Sequence, residues 1–117
     1  MSRGPGIVQR RILDILAEQD RLIDTIELTA LVFDIQPNEA GQYLISEGQV
    51  VSVRRALGKF AKEGKAIDCG RNWRSGRRCW ASPSVAKAYY DRARSAFGRR
   101  RAEQLVPGLS RAAIRPW

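Results

Sequence analysis

Residues 46 to 81 read SEGQVVSVRRALGKFAKEGKAIDCGRNWRSGRRCWA, and this stretch decides the fold. Ser46 is a helix N-cap, because its short side-chain oxygen can accept from the free amides of the first turn. Behind it Val50, Val53, Leu57 and Phe60 recur at i, i+3, i+7 and i+10, with Ala56 beside them. That spacing puts one apolar stripe on one side of a helix. Gly64 suits the left-handed residue that ends such a helix. Two short strands follow, Lys65–Gly70 and Arg77–Ala81. The tip Asn72-Trp73-Arg74-Ser75-Gly76 turns the chain between them. Gly58 lies inside the helix, where it costs about 1 kcal/mol against alanine.

Upstream, Val8, Ile12, Ile15 and Leu16 keep helical spacing, with Leu13 on the flank, and predict a first helix over about residues 7–18. Leu22-Ile23 is a candidate for a very short strand. Asp24 or Thr25 caps a second helix over about residues 26–33. Residues 34–45, DIQPNEAGQYLI, contain Pro37, Asn38 and Gly41 and predict either an extended loop or a loop with one extra helical turn. Tyr43, Leu44 and Ile45 are expected to tuck back onto the core.

Downstream, Ser82 caps a further helix and Pro83 takes its first position. Val85, Ala86, Tyr89, Tyr90, Ala93, Ala96 and Phe97 give it an apolar side over about residues 84–104. Its two stripes, Val85/Tyr89/Ala93 and Ala86/Tyr90/Ala93/Phe97, are expected to pack one on the first helix and one on a second copy of the chain; the alternative is a helix packed wholly within its own chain. Residues 106–117 hold two prolines and a glycine and read as a flexible tail.

The 117 residues suit one domain, and a hydrophobic content of 44% is enough for a packed core. The net charge of +9 is unevenly placed. Residues 1–48 carry four Lys/Arg against eight Asp/Glu, a balance of −4, whereas residues 49–117 carry 17 against four, a balance of +13. The second half therefore carries the field that attracts a polyanion. The N-terminus lacks a long apolar run of the secretory kind, and no stretch reaches the length of a membrane span. A cytoplasmic location with reduced thiols is expected.

Val53-Arg54-Arg55-Ala56-Leu57, then Phe60, then Glu63-Gly64-Lys65, resembles the recognition helix and wing entry of bacterial winged helix-turn-helix DNA-binding domains. The resemblance covers about residues 7–81 and is to the fold, not to a single family. It implies a mainly α protein with a small β-hairpin, a winged helix domain over residues 1–82, and an added C-terminal helix over 83–105 for packing or dimerisation. It also implies a partner, double-stranded DNA, bound near the nucleoid by a transcriptional regulator. In such a domain the third helix enters the major groove. Its positions Gln49, Ser52, Arg54, Arg55 and Lys59 become candidate contacts; Gln49 can pair with adenine, and Arg54 or Arg55 with guanine. The wing adds Arg71, Trp73, Arg74, Arg77 and Arg78. Crowded guanidinium groups repel one another, and a phosphate backbone or narrow minor groove relieves that repulsion. Trp73 is read either as a lid over the hairpin or as a platform for sugar or an exposed base; Trp80 is read as structural.

The same outline also serves phage or plasmid replication, packaging or partition factors. A protein-interaction module is another reading, with Asp14, Glu18, Asp20, Asp24 and Glu27 as its docking face. RNA is a further candidate ligand. Catalysis finds no histidine base, phosphate loop or nucleophile elbow, so no enzyme and no cofactor are expected. Two cysteines without histidine do not make a structural zinc site. In a regular register Cys69 and Cys79 face each other across the hairpin, as two small buried side chains or as a redox pair.

Overall fold

The computed structural model describes residues 6–109. Helix α1 (Ile7–Glu18) buries Ile12, Ile15 and Leu16, the residues of the expected stripe. Strand β1 is only Ile23–Asp24. Helix α2 (Thr25–Val32) follows at once, capped by Asp24, whose carboxylate accepts from the Glu27 amide at 2.8 Å. Helix α3 (Glu47–Glu63) buries Val53, Ala56, Leu57 and Phe60 and stops at Gly64, φ 74°. Strands β2 (Ile67–Arg71) and β3 (Arg78–Ala81) form the hairpin, helices α4 (Pro83–Phe97) and α5 (Arg99–Leu105) follow, and the described residues end in a further helical stretch at 107–109. The protein is mainly helical with a small three-stranded antiparallel sheet in the order β1-β3-β2.

Two cores hold these elements. The first joins α1, α2 and α3 through Ile12, Leu16, Leu28, Val53, Leu57 and Phe60, with Ile23 and Trp80 reaching in from the sheet. Each fully buried aliphatic side chain of this kind contributes about 1.5–3 kcal/mol. The second lies on the other side of the hairpin, where Ile67, Cys69, Cys79 and Ala81 meet Ala86 of α4 and Val106.

Residues 33–46 form an extended loop with no helical turn. Asn38 organises its bend, its side-chain oxygen accepting from the amides of Ala40 at 3.0 Å and Gln42 at 2.9 Å. Tyr43 and Ile45 are half-buried, but Leu44 is 78% exposed and does not tuck back as expected. Burial alternates along Tyr43, Leu44 and Ile45, and the middle residue is left in water. The loop's departure from α2 is held by Arg11. Its guanidinium donates to the carbonyls of Val32 at 2.8 Å and Leu31 at 3.0 Å, and to Asp34 at 3.2 Å. These carbonyls belong to the last turn of α2, where a cation also meets the negative end of the helix dipole.

The C-terminal region departs from the single helix read over 83–105. The chain breaks at Gly98, φ 90°, and α5 folds back on α4. Val85, Ala86, Tyr89 and Tyr90 all pack on the second core, so both stripes are used within the chain, and α4 packs on α5, β2 and β3. The expectation that one stripe needs a second copy loses its basis; Phe97, 68% exposed, is the large apolar residue of α4 left over. Nor does a flexible tail begin at 106. Val106 is fully buried and Leu109 packs on the same core; the rest of that stretch, 110–117, lies outside the described residues. The fit against β2 is close. A Cβ at Gly70 would meet the Leu105 carbonyl oxygen at 3.1 Å, and one at Gly108 would meet the Asp68 amide nitrogen at 2.6 Å.

The hairpin register is irregular. Ile67 pairs with Ala81 and Asp68 with Trp80, but the next pair is Arg71 with Arg78, so an extra residue bulges from β2 next to Cys69. Both cysteines are free and buried. Burial pushes the Cys69 thiol up to about 12, with the Asp68 charge adding to it, and raises that of Cys79 as well. Such thiols carry little thiolate and react poorly.

Two expectations follow. Arg11→Met should lower stability by about 1–2 kcal/mol, because it leaves the end of α2 without its charged donor; a urea midpoint equal to that of the wild type would exclude the clamp. Neither thiol should react with iodoacetamide at neutral pH until denaturant is added. Above the ordinary thiol value of 9.0 the unfolded Cys69 ionises before the folded one, so its contribution to stability is lost as pH rises from there towards about 12. Urea midpoints at pH 7.5 and 10 should therefore differ less in Cys69→Ala than in the wild type.

Candidate nucleic-acid interface

The candidate surface is built where α3 and the hairpin face each other. A hydrogen-bond relay sets their separation. Trp80 Nε1 of β3 donates to Thr25 Oγ1 at 3.1 Å, and Thr25 Oγ1 donates to the Arg78 carbonyl at 3.1 Å. Thr25 is the first residue of α2, so this relay ties the helical core to the base of the hairpin. Trp80 is structural, as the sequence implied.

An open groove of about 510 Å³ runs between α3 and the hairpin. Arg54 and Gly58 line it from α3, Thr25 and Ile26 from the start of α2, and Arg71, Arg77 and Arg78 from the hairpin. Four of the ten sequence candidates thus converge on one concavity. Arg55 lies one residue further round α3 than Arg54, on the exposed side opposite the buried stripe. Ser52 and Lys59 are also exposed, on the flank away from Arg54.

Other candidates have structural partners. Gln49 closes a capping box: its side-chain oxygen accepts from the Ser46 amide at 3.0 Å while Ser46 Oγ accepts from the Gln49 amide at 3.2 Å. It is half-buried at the start of α3 and serves the helix end. Arg78 is ion-paired with Asp68, which is 5% exposed and also accepts from the Gly70 amide at 2.8 Å. A buried carboxylate needs such a partner, so much of the Arg78 charge is already answered within the fold. Arg71 donates to the Gly76 carbonyl at 2.9 Å and stiffens the tip. Arg74 and Arg77 are exposed. Trp73 is 85% exposed, which removes the reading of it as a lid.

Thr25 and Ile26 escape sequence reasoning, because they join the surface only through the tertiary fold. Gly58, which the sequence offers either as a point of close approach for another backbone or as neutral drift, lies open, with nothing within 4 Å of where a Cβ would stand. Asp68, the one acid the sequence places near the wing arginines, is brought beside Arg78 by β2. The acidic patch read as a docking face is thinner than its sequence: Asp24 caps α2 and Glu27 is paired with Arg21. Among the described residues no group of three or more His, Cys, Asp or Glu is placed to hold a metal, and no helix is long and apolar enough to cross a membrane. Comparison with protein-family models, with curated proteins and with solved structures finds no match to this chain.

Proposed function

We propose that the protein is a winged helix double-stranded DNA-binding protein that reads sequence with α3 and acts as a transcriptional regulator in the cytoplasm. The observation that carries this reading is the groove between α3 and the hairpin, lined by Arg54, Arg71, Arg77 and Arg78. The element order α1-β1-α2-α3-β2-β3, with β3 central in the sheet, supports it. So does the +13 balance of residues 49–117. In this reading α3 lies in the major groove, Arg55 meets base edges, and the strand beside it passes between α3 and the wing. Arg54, Arg74 and Arg77 hold its phosphates.

Gly58 fits that path. It weakens α3, nothing inside the protein needs its small size, and it lies on the floor of the groove. A passing sugar–phosphate backbone accounts for the clearance.

The first test is anisotropy of the protein on a random duplex pool across a salt series, with selection and sequencing of the bound fraction. A steep salt dependence and an enriched motif are expected; no binding at low salt overturns the reading. Arg55→Ala should weaken the selected site by roughly tenfold or more and random duplex far less. Arg77→Ala should weaken both alike and flatten the salt dependence. Equal losses on both DNAs for Arg55→Ala would remove it from base reading. Gly58→Ala should raise stability by about 1 kcal/mol, and Tm by several degrees, while weakening duplex binding several-fold. A stabilised variant with unchanged affinity would move the strand off this path.

A further inference from the structure

The hairpin tip carries a large aromatic side chain that the fold does not use. Trp73 is 85% exposed, and an indole in water adds nothing to the packing of the folded state. The turn beneath it is nevertheless tightly built. Asn72 Oδ1 accepts from the amides of Arg74 at 2.8 Å and Ser75 at 3.2 Å. Ser75 Oγ accepts from the Arg77 amide at 3.2 Å, and Arg71 donates to the Gly76 carbonyl at 2.9 Å. Backbone bonds between Asn72 and Arg77 at 2.8 Å and between Gly76 and Asn72 at 2.7 Å close the ring. Trp73 is thus mounted on a stiff turn and held out into solvent.

The ring has one cation stacked against it. The Arg74 guanidinium lies 4.9 Å from its centroid, a cation–π stack. A flat aromatic face beside a stacked cation, on the hairpin whose arginines line the groove, suits a flat ring attached to a phosphate. We propose that Trp73 is a stacking platform for a nucleobase that has left its duplex stack, at a bulge, mismatch or fork, with Arg74 on the adjoining phosphate. This rests on the duplex-binding reading: the groove holds the paired arm and the tip takes the unpaired base. In an intact duplex both faces of each base are covered by neighbours, and opening one costs free energy. A base already displaced avoids that cost, so the protein prefers distorted duplex to perfect duplex of the same sequence.

The test compares a perfect duplex with the same duplex carrying a single-nucleotide bulge of 2-aminopurine, bound by wild type, Trp73→Phe and Trp73→Ala. Wild type should favour the bulged duplex by about 5- to 150-fold, the range of one base–aromatic stack, and should quench the 2-aminopurine. Trp73→Ala should lose preference and quenching yet keep its perfect-duplex affinity and salt dependence; Trp73→Phe should keep part of both. Equal affinity of wild type for the two DNAs overturns the proposal while leaving duplex binding intact. So does an equal loss on both DNAs in Trp73→Ala. Failure of wild type to bind either DNA overturns the underlying reading instead.

Discussion

The arrangement of this protein depends on how Thr25 is held. Its hydroxyl accepts from the indole of Trp80 and donates to the carbonyl of Arg78, while its own carbonyl accepts from Thr29 Oγ1 at 2.7 Å. All these groups are buried or half-buried, and an unpaired polar group in such a place is costly. One short side chain therefore fixes the start of α2, the middle strand of the sheet and the base of the hairpin together. Without that junction the helical core and the hairpin would share little beyond Ile23 and Trp80, and the space between α3 and the hairpin would have no set width.

The charges divide into those the fold consumes and those it leaves available. Arg11 is spent on the end of α2, Arg21 on Glu27, and Arg78 on Asp68. Arg55, Arg74 and Arg77 stay exposed. Folding blunts the negative field of the first half, because Asp24, Glu27 and Asp34 already have structural work. Asp24 caps a helix and Asp34 meets Arg11. Exposed pairs of the latter kind contribute little to stability, so their main effect is to cancel field locally.

The sequence was most legible where one strong local rule acted. The stripe Val53-Leu57-Phe60, the caps Asp24, Ser46 and Ser82, and the stop at Gly64 each follow from a few neighbouring residues, and all appear in the fold. It was less legible where two rules competed. Helical spacing runs from Val85 through Phe97 and alone predicts one long helix; a single glycine breaks it because α5 gains a packed position against α4 and β2. Gln49 has a side chain fit for reading a base and also the right spacing to close a capping box, and the local bond is the one formed. In the candidate site, the hairpin arginines were visible as a cluster, whereas the inward pairing of Arg78 was not, since it depends on the register that places Asp68 beside it.

The way residues 105–109 lie against β2 has a consequence for how the protein is made. The first core draws on α1, α2, α3 and Trp80, all present once the chain has been synthesised through β3. The second needs Val106. Until that residue leaves the ribosome, β2 is an uncovered sheet edge beside Ile67, Cys69 and Ala81, and open edges of this kind invite pairing with another chain. Maturation is therefore stepwise: a nascent chain first closes its helical half, and its hairpin is sealed only once residues 105–109 have emerged.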